Sequence, residues 1–301
     1  MKKFNLLMAI VLIGFSSSAQ TDSTIVVDST KILAKNDTIR IGNILIIKRG
    51  NNNSSGQEGE ANTSMGRQNH EKKRNSKVST NWWIVDIGFS NYDDQTNYAS
   101  TGSYLVNKPG SPALNRGDFK LRTGKSINLN LWFFMQRLSI VKNYVNLKYG
   151  LGMELNNYRY KSSVSYKENG FIPFTAGLQT SNAFIFRDSI AFNKNKLAAD
   201  YLTVPLMINF ASHPHSSNKG ISVSFGASAG YLFSQRNKQK SDQRGKEKNK
   251  GEYDLERFKL SYVAELGLGP IRLYGSYSPK SMYENALDMR PYNVGFRFSN
   301  W

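Results

Sequence analysis

The stretch Val145-Asn-Leu-Lys-Tyr-Gly-Leu-Gly-Met-Glu-Leu-Asn156 alternates apolar residues with small, polar or charged ones. Val145, Leu147, Tyr149, Leu151, Met153 and Leu155 share one face of an extended chain. Asn146, Lys148, Gly150, Gly152, Glu154 and Asn156 share the other. Side chains of a strand point alternately to opposite sides, so a period of two marks a strand with one greasy face.

The same period recurs on either side of this stretch. Upstream, Trp83, Val85, Ile87 and Phe89 oppose Asp86, Gly88 and Ser90, and Ile127, Leu129, Leu131 and Phe133 oppose Ser126, Asn128, Asn130 and Trp132. Downstream, Leu202, Val204, Leu206, Ile208 and Phe210 oppose Thr203, Pro205, Met207 and Asn209. Ile221, Val223, Phe225, Ala227, Ala229 and Tyr231 oppose Ser222, Ser224, Gly226, Ser228 and Gly230. Leu260 to Leu268 set alternate apolar residues against Ser261, Glu265 and Gly267. Ile271, Leu273, Gly275 and Tyr277 oppose Arg272, Tyr274 and Ser276, and Tyr292, Val294, Phe296 and Phe298 oppose Asn293, Gly295 and Arg297.

Eight such segments result, and an even number places both ends of a barrel on one side of a membrane. The connections sort by parity: 91–123, 157–200 and 235–257 are long, 135–143, 211–219 and 269–270 are short, and 279–290 is intermediate. Bacterial outer-membrane barrels alternate long external loops with short periplasmic turns, whereas a soluble sandwich has no reason to do so. The expected fold is therefore all-β: an eight-stranded antiparallel transmembrane β-barrel over residues 81–301, preceded by a mostly disordered periplasmic tail.

The first residues, MKKFNLLMAIVLIGFSSSAQ, read as a signal peptide over 1–19. Lys2 and Lys3 form its positive end, Phe4 to Phe15 its apolar run, and Ser17 and Ala19 the small residues before cleavage. The run is short for a helical anchor. Export and a cysteine count of zero exclude disulfides, thiol catalysis and thiolate metal sites. The formal net charge is +18, or +16 without Lys2 and Lys3. In an exported chain this points to anionic lipid or an acidic polymer rather than nucleic acid. After the signal, no apolar run is long enough for a membrane helix, while alternating strands dilute hydropathy without losing their greasy face.

Residues 20–80 form the tail, too polar over Gly50 to Lys77 to bury a core. An apolar island at 38–48 reads as two short strands around Gly42-Asn43. By edge pairing, the island is a candidate contact for a periplasmic protein partner.

A spanning sheet must close, because lipid offers backbone groups no hydrogen bonds. The lumen of eight strands is just wide enough for side chains to fill. Asp86, Lys148, Glu154, Glu265, Arg272 and Arg297 fall on the polar face and form a candidate lumen charge network, since buried charges need partners. The alternative is that several lie at solvated rims. Trp82, Trp83, Tyr144, Tyr201, Tyr262, Tyr277, Tyr292 and Trp301 stand near strand ends, where interfacial belts form.

The segment Tyr201-Leu-Thr-Val-Pro-Leu-Met-Ile-Asn-Phe210, the Gly-rich Tyr149 to Gly152 and Phe225 to Tyr231, and the close Val294-Gly-Phe-Arg-Phe298 resemble the Bacteroidetes outer-membrane β-barrel family that includes PorT-like proteins. The resemblance covers 81–301. It implies a terminal aromatic read by the insertion machinery. Trp301 fits, although it is out of phase with Phe296 and Phe298. Asp22-Ser-Thr, Asp28-Ser-Thr, Asp37-Thr-Ile and Asp188-Ser-Ile resemble the O-glycosylation motif of the same bacteria, with Ser23, Ser29, Thr38 and Ser189 as candidate acceptors.

Chemistry is sparse. His70 lies in the tail, and His213 and His215 flank Pro214 in a short turn without a nearby acid. No phosphate loop, nucleophile motif or carboxylate pair stands out, so an enzyme, a cofactor and a metal site are not expected. The loop 235–259 carries Arg236, Lys238, Lys240, Arg244, Lys246, Lys248 and Lys250, diluted by Asp242 and Glu247. It is a candidate surface for the phosphates of lipopolysaccharide, or else a solvated flexible loop. The expected function is structural, accessory or binding, through external loops and tail. The alternatives are a narrow pore or transport-related barrel, a soluble lipocalin-like binder and a lipid A-modifying enzyme.

Overall fold

The computed structural model describes residues 38–41, 44–47, 77–214 and 220–299. The signal segment 1–19, most of the tail with Ser23, Ser29 and His70, the side chain of Thr38, and His215 and Trp301 lie outside the described residues. The chain divides into two units, Met1–Asn69 and His70–Trp301. In the first, Thr38–Ile41 and Ile44–Ile47 pair antiparallel as a hairpin, Thr38 opposite Ile47.

The second unit is built on eight strands: β1 (Val78–Asp94), β2 (Ile127–Val141), β3 (Val145–Arg159), β4 (Lys194–Ala211), β5 (Ile221–Ser241), β6 (Phe258–Leu268), β7 (Ile271–Tyr277) and β8 (Met289–Phe298). Each pairs antiparallel with its neighbour in sequence, and β8 closes on β1, with Gly295 opposite Gly88 and Arg297 opposite Asp86. The sheet has no free edge within this ring, as a span through lipid requires.

The period-two reading holds residue for residue on β3, where every second side chain is buried. On β1 and β2 it breaks near Trp83 and Phe133. Trp83 adopts a positive φ of 57°, and the β2–β3 register slips between Trp132 and Phe134 and again between Ser139 and Val141. Trp82 and Trp83 both point outward, as do Phe133 and Phe134, while Ile84, Trp132 and Met135 turn inward. An extra residue in one strand moves the alternation by one, which is how a bulge re-aims side chains.

The outer wall is apolar. Ile87, Phe89, Leu206, Phe225, Leu260 and Phe296 are each about half exposed. A continuous apolar girdle of this kind far exceeds the patches a water-soluble surface tolerates. The short turns at Lys142 to Tyr144 and Gly269-Pro270 share one end with Ser212 to Pro214 and Gly220, which flank the third, and by the loop rule this end is periplasmic. Trp82, Trp83 and Tyr144 ring that end. Tyr262, Tyr277 and Tyr292 form a row across β6, β7 and β8 near the other. Tyr201 departs from the belt expected of it: it faces the lumen, 2% exposed, with the Lys259 ammonium 4.5 Å from its ring centre.

The long connections are not open loops. Leu105–Val106, Phe184–Arg187 and Val164–Lys167 form a small external sheet in which the middle strand pairs parallel with the first and antiparallel with the third. β5 runs to Ser241, well past the expected end of its strand, and Gly245–Lys250 folds back on it. The expected basic loop is therefore a hairpin with fixed register.

Candidate functional site

Inside the barrel, alternation delivers charged side chains into one layer. Arg297 from β8 reaches in two directions. Its Nε and Nη2 donate to Asp86 at 2.7 and 2.8 Å, and its Nη1 donates to Glu265 at 2.7 Å. Asp86 also accepts from the Trp132 indole at 2.7 Å and from Asn130 at 3.1 Å. Glu265 accepts from Lys148 Nζ at 2.8 Å through both oxygens, and Arg272 Nη1 lies 3.7 Å away. The guanidinium of Arg297 stacks between Trp132 and Tyr274, 5.4 and 6.0 Å from their ring centres. All of these carboxylates and cations are under 7% exposed. Five of the six expected network residues thus form one connected cluster.

The sixth, Glu154, stands apart. It pairs with Lys259, and Asn156 and Asn293 donate to it at 3.0 and 3.1 Å. Lys259 was hidden within the basic loop in the sequence reading. Its parity, two residues before Ser261 and six before Glu265, was the signal that could have placed it on the inner face. Asparagines and serines complete the filling: Ser90 donates to Asn293 and Asn156, and Asn128 to Asn130 and Asn156. Glycine makes the room. At Gly88 a Cβ would lie 2.4 Å from the Val294 carbonyl and 2.6 Å from the Tyr274 hydroxyl, so only a bare backbone lets Tyr274 cross the lumen to Asn128.

Above the barrel the external connections build a core of their own, rich in tyrosine. The hydroxyls of Tyr160 and Tyr166 are 2.6 Å apart, those of Tyr166 and Tyr283 2.9 Å, and Tyr104 donates to the Tyr253 carbonyl at 2.8 Å. Each buried hydroxyl thus has a partner. Burial pushes the Tyr160 and Tyr253 hydroxyls up to about 12, and raises those of Tyr104, Tyr166 and Tyr283 well above the ordinary tyrosine value. This core is continuous with Tyr158, Leu197, Tyr201 and Leu232 on the strands. An open cleft of about 670 Å³ lies beside it, lined among others by Glu168, Glu252, Asp254, Arg257 and Glu284.

The seven cations of the expected anionic-surface loop are separated by the hairpin. Arg236 pairs with Asp200, and Arg244, at the hairpin turn, donates to Asp188 at 2.8 Å. Lys238, Lys240, Lys246, Lys248 and Lys250 lie on one face. Glu247 lies opposite Gln239 on the other face, and Asp242 accepts from Asn193 at 2.9 Å. Neither acid dilutes the lysines as the linear sequence suggests. Ser189 is exposed beside Asp188, and His213 is exposed with its Nδ1 3.1 Å from Ser212 Oγ.

A closed eight-stranded sheet with an apolar wall, aromatic rims and a charged, filled interior defines an outer-membrane β-barrel. The family model described as the outer membrane protein beta-barrel domain matches residues 87–279, and the chain belongs to that family. The protein resides in the outer membrane. No curated protein sequence matches it. Among solved structures it is similar to Ail, the attachment invasion locus protein of Yersinia pestis, in complex with the heparin analogue sucrose octasulfate. The identity is 12%, 73% of this chain and 98% of that chain are covered, and the TM-score is 0.29.

Proposed function

We propose that this protein is a non-enzymatic, non-conducting scaffold of the outer membrane whose working surface is its folded external head. The observation that carries this reading is the lumen. Asp86, Arg297, Glu265 and Lys148 bridge β1, β8, β6 and β3 across the interior, and Glu154 with Lys259 adds a second bridge between β3 and β6. A tube of this width is one that side chains can fill, and its paired charges and asparagines support a plugged lumen over a water-filled one. The external connections, by contrast, are organised by secondary structure and a core, which a gate or a passive loop does not need.

The experiment is reconstitution of the folded protein into planar bilayers and into vesicles with added lipid A. Silence under voltage and an unchanged lipid mass are expected. Stable conductance steps would overturn the non-conducting reading, and a shifted lipid mass the non-enzymatic one. The finer kinship with PorT-like proteins of Bacteroidetes belongs to the same reading, supported by Tyr201 to Phe210 and Val294 to Phe298. A homologue tree that places the chain elsewhere would remove it.

A further inference from the structure

β4 and β5 continue outward beyond the apolar belt, and the register of the hairpin turns a sequence of scattered cations into a lattice. Lys194 lies opposite Lys240, and Lys240 opposite Lys246. One step along, Lys196 lies opposite Lys238, and Lys238 opposite Lys248. A third row places Arg236 opposite Lys250. Directly opposed residues of an antiparallel pair project from the same face, so these side chains share one surface. Strands lie about 4.8 Å apart and same-face residues about 6.8 Å apart along a strand, which sets the mesh of the lattice.

Like charges directly opposite one another destabilise a sheet. Two full rows of them persist here, with the acids placed elsewhere. Glu247 is on the reverse face, and Asp200 is the one carboxylate on this side, engaged by Arg236. Eight cations against one carboxylate leave a surplus of seven. The reverse face is held by the head: Asn195 donates to the Val164 carbonyl at 2.6 Å and Gln239 to Ser165 Oγ at 2.8 Å. The cationic face therefore looks outward. On β4, Lys196 and Lys194 have the parity of the lipid-facing Leu202 and Val204. On β5, the lattice begins three residues beyond Phe233, an exposed aromatic at the external rim. Lysine stems reach along such a surface while their heads seek charge.

From these placements we propose that the face is a seat for the phosphate-bearing headgroups of outer-leaflet lipid. The lattice stands directly above the lipid-facing wall and on the same side of it. A soluble polyanion arriving from the medium instead meets Glu168, Glu252, Asp254 and Glu284 around the upper cleft. The proposal rests on the external head as the working surface. Its test reads lipid retention rather than conductance, so the two readings fail separately.

The test uses the full protein, folded in zwitterionic micelles, with diphosphorylated lipid A as the probe and retained phosphorus as the readout. The wild type is expected to retain the lipid, and to lose it as salt is raised. The variant Lys238→Gln/Lys240→Gln/Lys246→Gln/Lys248→Gln should bind several hundredfold more weakly, because each of the four lysines near an anionic lipid surface is worth about fivefold. The matching four-fold Lys→Arg variant should bind like wild type, and heat-modifiable migration reports folding of both. Equal binding by the Gln variant, or equal retention of dephosphorylated lipid A, overturns the proposal. So does wild-type binding of inorganic polyphosphate without retention of lipid A.

Discussion

Arg297 is the residue on which the interior depends most. Its guanidinium fork serves Asp86 on one side and Glu265 on the other, and both carboxylates are buried, Asp86 at 0% exposure. Arg297→Met removes the cation and leaves two acids short of partners in a closed interior. Breaking a buried pair by deleting one member costs about 3–5 kcal/mol. Urea unfolding of the heat-modifiable form should show a loss of that order. Arg297→Lys should fall between, since an ammonium supplies charge without the planar fork. Wild-type stability of Arg297→Met would mean that the fork holds nothing. The inner face of each strand was legible because a period of two survives substitution of one polar residue for another. What was not legible is who pairs with whom. Glu154 and Glu265 share strand-face parity with every inner cation, and only the register across four strands assigns Lys259 to one and Arg297 to the other.

The strands themselves show where sequence reading runs out. β4 and β5 have 18 and 21 residues, whereas a tilted span needs about 9–11. The apolar half of each was legible and the surplus was not: on β4 the consecutive Leu197, Ala198 and Ala199 mark no face, and on β5 the stretch beyond Gln235 carries no apolar residue. Its period of two is written in another alphabet: Arg236, Lys238 and Lys240 alternate with Asn237, Gln239 and Ser241, cation outward and amide or hydroxyl inward. The bulges at Trp83 and Phe133 were equally silent, since two adjacent aromatics fit either phase. The hairpin is a separable element, and this has a consequence. Replacing Asn237 to Lys248 with a tight turn removes Gln239, whose amide donates to Val164 and Ser165, and Arg244, which holds Asp188, leaving Asn195 as the one amide on Val164. The barrel should still form and remain heat-modifiable, while protease gains cleavage at Val164 to Tyr166 and Phe184 to Ile185, which are buried in the parent. Loss of heat modifiability, or continued protection, would show that the hairpin is not what holds that segment.

At the scale of the whole unit, barrel and head share one core. Tyr104, Tyr166, Tyr253 and Tyr283 of the external connections pack with Tyr160 and with Tyr158, Leu197 and Met289 of the strands. Such a core was not legible, because its residues come from connections that carry no periodic pattern and meet only once the barrel has brought their ends together. Its ionisation follows from its burial. An unfolded tyrosine loses its proton near pH 10, while Tyr160 and Tyr253 hold theirs to about 12, and Tyr104, Tyr166 and Tyr283 hold theirs longer still. Above pH 10 the unfolded state therefore binds fewer protons than the folded one, and stability falls as pH rises. Below pH 10 both states are protonated and the contribution is fully present. Each tyrosine contributes a slope of about 1.4 kcal/mol per pH unit between its two values, so five acting together make the loss steep. An alkaline titration followed by tyrosinate absorbance should show these groups silent at pH 10, then ionising together as the head opens. Heat-modifiable migration should persist through that step, because Arg297 keeps its charge at such pH and still holds Asp86 and Glu265, and the closed backbone ladder does not titrate. Tyr166→Phe, which cuts the hydroxyl chain between Tyr160 and Tyr283, should bring the opening to lower pH. Independent ionisation of every tyrosine near pH 10 in the folded protein would show that the head has no such core.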